Sequence, residues 1–308
     1  MPAGDHGQSV TKVAIRASVL TSAIPHFGGL SGLELADDPA QLIAISDRGW
    51  AVLLEKVPPH AIRGLRPIGG VPQIRAWQDA ESLRRAPDGR LWVAFEGQHR
   101  IVVHGPGWTG LVQRPQRSFR LPNLHELESN RGIEALAMLP DGRALALSET
   151  RRDGLAFVLE EGGRSRISKR YNSDFPPVDA VALANGGLLV LVRTPVWPLP
   201  PLFATRIDYV EPGWEDEETI QARPLFRIDT ALPAANFEGM ALEPIADGGL
   251  RLWLISDDNF LALQDTVLAW IDMPSNCLKP NIICQLERVI VPPRPSPTPR
   301  SRPNPVQR

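Results

Sequence analysis

Cysteine is nearly absent from this chain. Cys277 and Cys284 are the only two, with six residues between them, a spacing that suits neither a zinc knuckle nor a redox Cys-x-x-Cys motif. They read as free thiols rather than a disulfide. An excess of one charge sign is absent too: 33 Lys and Arg stand against 35 Asp and Glu, a net charge of -2, so no basic field exists to hold a phosphate backbone and no nucleic-acid partner is expected. No apolar run approaches the roughly 20 residues that cross a bilayer. The longest, such as 250–255, are interrupted by charge, so no membrane span is expected.

Several motifs are also missing. Asp5, His6, Lys12 and Arg16 break up any N-terminal apolar segment that an export machinery would recognise, and on that ground the chain reads as cytoplasmic. There is no Gly-x-Ser-x-Gly elbow, because Ser31 is followed directly by Gly32 and Leu33. His125-Glu126 lacks the second histidine of a zinc-protease helix, and no glycine-rich loop ending in Lys-Ser or Lys-Thr occurs. Ser9-Val10-Thr11-Lys12 fits Ser-x-x-Lys only formally. Long amphipathic helical patterns are missing, which argues against a βαβ architecture.

What the chain does contain is a repeat. Five segments share one order: a small polar or acidic residue, an apolar alternation, a turn, a second apolar strand and a polar group at its end. The second copy runs Asp79-Ala80-Glu81-Ser82-Leu83, Asp88-Gly89, Leu91 to Glu96; the third runs Ile133-Glu134-Ala135-Leu136, Asp141-Gly142, Ala144 to Glu149. The fifth is Asn236-Phe237-Glu238-Gly239-Met240, Asp247-Gly248-Gly249, Leu250 to Asp257. The first, Leu30 to Leu33 with Leu42 to Asp47, has Ser31 in the leading place, and the fourth, Val178 to Leu183 with Asn185-Gly186 and Leu188 to Arg193, ends in a base. Leading positions at 31, 81, 134, 179 and 238 repeat about every fifty residues, in the range of propeller blades.

Asp-Gly and Asn-Gly between alternating apolar runs are hairpin signals, because such turns need φ > 0 at their centre. A lone hairpin cannot bury both faces, so the expected fold is all-β: a single β-propeller over residues 13–290. Six blades are expected, the sixth assembled from Val10–Leu20 with 266–290. Residues 1–12 read as a flexible start. Residues 291–308, rich in proline and arginine, read as a disordered tail. The proline-rich stretch from Arg193 to Leu202 suits a rim loop better than a ladder strand. A monomer is expected.

The series Gly29-Leu30-Ser31-Gly32-Leu33, Ser46-Asp47-Arg48-Gly49, Asp79-Ala80-Glu81, Asn130-Arg131-Gly132-Ile133-Glu134, Asn236-Phe237-Glu238-Gly239 and Ser256-Asp257-Asp258-Asn259-Phe260 with Thr266 resembles the successive signatures of the phytase-like family, named for an esterase-like activity. The likeness runs from about residue 13 to 272. It implies a propeller and a hydrolase, and membership of a family many of whose proteins are exported to the periplasm or beyond. The chain departs in having Val192-Arg193 where relatives usually carry Glu-Arg, and Ser82 and Ala135 where glycine commonly follows the leading glutamate.

Equivalent repeat positions converge on a propeller's central channel. Glu81, Glu134, Asp179 and Glu238 are therefore expected to form one ring. Asp47, Glu96, Glu149 and Asp257 form another set at the partner strands' ends, near the opposite rim or one blade step away. Clustered carboxylates must be protonated, paired with base or ligated by a hard cation. Calcium fits such oxygen donors, with Glu81, Glu134, Asp179 and Glu238 as its ligands. The expected reaction is metal-assisted hydrolysis of a small phosphate or carboxylic ester, with Glu81, Glu134, Glu238, Arg48 and Arg193 in catalysis and Asp47, Asp179, Asp257, Asn259 and His99 at the substrate. The competing reading is a binding propeller whose repeated acids bond to backbone N–H groups and fasten the blades. His99 suits either a general acid or a surface loop, and Trp77, Trp92, Trp197 and Trp214 either a pocket wall or core.

Overall fold

Each Asp-Gly or Asn-Gly dipeptide closes a hairpin. Gly89, Gly142, Gly186 and Gly248 sit at φ between 79 and 87°, where a side chain would be strained. The residue before each glycine bonds the chain two places on, as when the Asp141 carboxylate accepts from the Arg143 amide at 3.0 Å. The computed structural model describes residues 9–72, 74–96, 99–121, 132–150, 152–160, 164–196, 202–232, 234–261, 263–279 and 282–288. Residues 1–8, His125, Glu126, Asn130, Arg131, Trp197 and the 291–308 tail lie outside them. Among the described residues no helix is long and apolar enough to cross a membrane.

These hairpins grow into five sheets. Blade one is Leu30–Leu35, Gln41–Ser46, Trp50–Glu55 and Ile62–Pro67; blade two is Ala80–Arg85, Arg90–Phe95, Arg100–Pro106 and Arg117–Arg120. Blade three is Ile133–Met138, Ala144–Ser148, Gly154–Leu159 and Ser165–Asn172, with Thr219–Gln221 added in parallel. Blade four is Pro177–Ala182, Leu188–Val196, Leu202–Val210 and Arg223–Arg227. Blade five takes Asn236–Pro244, Leu250–Asp257 and Thr266–Met273, then the N-terminal strand Ser9–Leu20, then Ile282–Arg288. The core is correspondingly divided into five apolar clusters, one at each junction between neighbouring blades. Trp92, Leu136 and Phe157 fill the junction of blades two and three, and Leu33, Trp253 and Ile255 that of blades five and one.

Three expectations are corrected. The propeller has five blades, not six: the segments assigned to a sixth complete the fifth, because Ser9–Leu20 pairs antiparallel with Thr266–Met273 and closes the ring between the chain's two ends. Cys277 and Cys284 are disulfide-bonded. A short 3₁₀ helix, Ser275–Leu278, turns the chain back so that Ile282–Arg288 runs parallel to Ser9–Leu20, and this brings the two Cα atoms to 5.6 Å, within bridging reach. Finally, Arg193–Val196 is ladder rather than loop, paired with Leu202–Thr205, so the proline-rich stretch begins as strand.

Candidate active site: an acid-lined mouth

The site originates in one local irregularity repeated five times. In every innermost strand the ladder skips a residue: Ser31, Glu81, Glu134, Val178 and Glu238 each have no cross-strand partner. Such a bulge adds a residue to one strand and re-aims side chains beside it. Three of the five bulged residues are glutamates. One step outward along each ladder lies a second tier. The amides of Asp47, Glu96, Glu149 and Arg193 donate to the carbonyls of Gly29, Asp79, Gly132 and Pro176 at 2.9–3.1 Å, and Asp257 pairs with Asn236. Of the two places expected for this tier, the opposite rim or one blade step away, the opposite rim is corrected: bulge and tier are adjacent in register and form one mouth.

Close backbone approach makes room for the acids. A Cβ on Gly29 would stand 2.2 Å from an Asp47 oxygen, and one on Gly132 2.4 Å from the Glu96 Cγ. Carboxylate oxygens of Asp79, Glu81 and Glu96 lie within 4.8 Å of one another, as do those of Glu96, Glu134 and Glu149, so Glu96 belongs to both groups. Desolvation, then the charges of Glu134 and Glu238, push the Glu81 carboxyl well above its usual range. Glu134 is raised likewise by burial and then by Glu149, Glu96 and Glu238, against a smaller pull from Arg193. Burial also raises Glu96, opposed by the Gly132 amide that donates to it at 3.2 Å. At the neighbouring edge, burial lifts Asp47 to about 6 and Asp257 to about 8, Glu238 adding to both.

Base is present at two points. Arg193 pairs with Glu238 at 2.8 Å, donates to Asn236 and lies 5.3 Å from the centre of the Phe203 ring. Asn236 in turn donates to Glu238 at 2.7 Å. The Arg48 guanidinium lies over Phe260, 3.5 Å from the ring centre. His99 stands beside the mouth, its amide bonded to the Glu96 carbonyl at 2.7 Å, and burial lowers its pKa.

Two residues expected at the mouth are directed elsewhere. Asp179 is not the fourth repeat's counterpart of the glutamates; the register gives that place to Val178. Asp179 is fully buried one step inward, in an ion pair with Arg84 at 2.5 Å. The Asn259 side chain donates outward to Gln264 at 2.8 Å, and only its amide turns inward, donating to Asp257 at 2.7 Å. Val192 is buried opposite Pro177, so its departure from the family pattern leaves no gap among the acids. Trp92 and Trp214 are core; Trp77 is part-exposed with Arg100 over its ring. Sequence reading passed over Asp79, whose only signal is its place two residues before Glu81. Asp258, whose place in Ser256-Asp257-Asp258-Asn259 suits a turn, accepts from the Phe260 amide two residues on at 3.1 Å; it also accepts from the Gly29 amide at 2.9 Å and the Thr266 hydroxyl at 3.0 Å and so ties blade five to blade one.

At the far end of the channel lies a separate cavity of about 460 Å³, lined by Met138, Val181, Leu242 and Leu278 with Glu34 and Arg84. The profile of the phytase-like family, described as esterase-like activity of phytase, matches residues 25–260. Among solved structures the chain is similar to a luciferin-regenerating enzyme, at 11% identity over 84% of this chain and 95% of that one, with a TM-score of 0.50. It is also similar to a streptogramin B lyase, at 12% identity over 84% and 98% with a TM-score of 0.46. A third is a PQQ-bound aldose sugar dehydrogenase from Streptomyces coelicolor, at 11% identity over 84% and 98% with a TM-score of 0.44. The first is a likeness of fold alone. No curated protein matches the sequence.

Proposed function

We propose, from the premise that the chain belongs to the phytase-like family, that its acid-lined mouth hydrolyses a small phosphate or carboxylic ester with the help of a bound divalent cation, calcium fitting best. The observation that carries this reading is the pair of carboxylate triads sharing Glu96. Both triads offer only hard oxygen donors, which suit calcium, and no imidazole or thiolate of the kind zinc prefers. Carboxyls held above their usual pKa by burial and then by one another are what a cation would relieve. Asp79, Glu81, Glu96, Glu134 and Glu149 would hold it. When bound, such an ion polarises an ester oxygen and lowers the pKa of a water.

The chain's own groups supply the rest. Asp257 keeps its proton up to about pH 8 and therefore suits the role of proton donor to a departing alkoxide at neutral pH. Arg48, over the Phe260 ring, brings positive charge beside Asp47 for an anionic part of the substrate. Arg193 fixes Glu238 at the wall opposite. A panel of phosphomonoesters and carboxyl esters, assayed with calcium and with chelator, tests this. Turnover should require calcium and fall at least 100-fold in Glu81→Gln and Glu96→Gln.

One observation favours a second reading, a ligand-binding propeller without catalysis. Asp258, next to the tier acid Asp257, accepts from the Gly29 and Phe260 amides and the Thr266 hydroxyl, the role of a fastener. No turnover with any ester, together with full stability in chelator, would select that reading.

A further inference from the structure

The innermost strand of each blade is an edge strand whose channel-facing N–H and C=O groups need partners. At the level of Asp179 three side chains supply them. Asp179 accepts from the Ser82 hydroxyl at 2.7 Å and the Met240 amide at 2.8 Å; Ser82 in turn accepts from the Leu136 amide at 3.2 Å. Arg84 donates to the carbonyls of Ala180 at 2.7 Å, Leu33 at 3.1 Å and Leu83. The partners come from blades one, two, three, four and five. Arg84 and Asp179 are 3% and 0% exposed, so water does not share the task. Their neighbours in register, Gly32 and Gly239, leave no room for a side chain: a Cβ on Gly239 would stand 2.7 Å from the Ser31 carbonyl oxygen.

We propose that Asp179, Arg84 and Ser82 form an axial clasp that positions the acid-lined mouth, fixing the backbone beside Glu81, Glu134 and Glu238 relative to one another. The anchored groups are Ser82, next to Glu81, and the amides of Leu136 and Met240, each two residues after a bulged glutamate. Asp179 is thus a positioning residue and not a ligand. The clasp also lies between the mouth and the cavity at the far end, where Arg84 forms part of the lining, so a ligand enters the mouth from one side. The inference rests on the cation reading for its functional half; its structural half stands on the hydrogen bonds.

The test compares Asp179→Asn and Arg84→Met with Asp208→Asn. Asp208 is equally buried in an ion pair with Arg206, but in an outer strand of blade four. Calcium titration and amide hydrogen exchange of the full chain are the readouts. The two clasp variants are expected to weaken calcium binding at least tenfold and to speed exchange at Leu136 and Met240 at least tenfold, while Asp208→Asn lowers the melting temperature and moves neither. Unchanged exchange and affinity in Asp179→Asn, or equal changes in Asp208→Asn, would overturn the clasp. If the wild type binds no calcium, the cation reading fails while the exchange comparison still decides the clasp. If both clasp variants fail to fold, Ser82→Ala removes only the hydroxyl that links Asp179 to the Leu136 amide and leaves the Asp179–Arg84 pair in place: faster exchange at Leu136 supports the proposal, and unchanged exchange there contradicts it.

Discussion

Two layers of the same five strands, one residue apart, treat buried carboxylates in opposite ways. In the upper layer burial raises the pKa values of Glu81 and Glu134, and the acids they face push them higher still. In the lower layer Asp179 faces Arg84, Ser82 and the Met240 amide; burial still lifts it to about 6, but each of these partners pulls it down. An acid supplied with base and donors is a fastener, whereas acids supplied with acids store repulsion that a ligand can relieve. The repeat itself does not distinguish them. The bulge does, because a one-residue shift of register moves a side chain to another layer.

The comparison breaks most visibly at its lower layer. Asp179→Ala removes one partner of a buried pair and leaves the Arg84 charge uncompensated, and should cost about 3–5 kcal/mol of stability in denaturant unfolding. In the upper layer the change has the other sign: Glu81→Gln, which relieves repulsion, should leave the cation-free protein as stable as the wild type or more so. A smaller cost follows for the closure of the ring. Reduction of the Cys277–Cys284 bond, or its replacement by serines, should cost about 2–3 kcal/mol through the short loop it closes, with calcium affinity unchanged.

The pH dependence sharpens the contrast further. Asp47 and Asp257 have folded pKa values of about 6 and about 8, above the roughly 3.9 of an unfolded aspartate. Between these values the folded state holds more protons than the unfolded one, so stability without a cation should fall as pH rises from about 4 to about 8. Glu81, Glu96 and Glu134 are raised in the same direction and add to that slope; saturating calcium should remove their share by stabilising their ionised forms, and thermal melts at stepped pH measure both. The smallest effect is expected at Asn259→Gly: the side chain bonds to Gln264 at the surface and glycine adopts the φ of 48° there without strain, so the melting temperature and activity should match the wild type.

Much of the fold was legible because it is local. The Asp-Gly and Asn-Gly turns dictate hairpins, and their spacing dictates blades. Closure was legible in part: the sequence brings Val10–Leu20 together with 266–290, but as a sixth blade, because no turn signal shows that Thr266–Met273 continues the sheet of Asn236–Pro244 and Leu250–Asp257. The disulfide was hidden for a related reason: the spacing of Cys277 and Cys284 says nothing of the 3₁₀ helix that brings them together. At the site, recurrence identified Glu81, Glu134 and Glu238. Aligning the fourth repeat by its acid rather than by its ladder position put Asp179 in the wrong layer, with Val178 in the true place. Asp79 was missed because blades one, three and five carry Gly29, Gly132 and Asn236 at the equivalent position, so no recurring acid marks it.

The central claim is that the upper layer is built to hold a divalent cation through Glu96. Calorimetric titration of calcium into the wild type and into Glu96→Gln, in two buffers of different ionisation enthalpy, tests it most directly. The account predicts binding with net proton release in the wild type and at least tenfold weaker binding in Glu96→Gln. Binding without proton release, undiminished binding in the variant, or no binding to the wild type would contradict it.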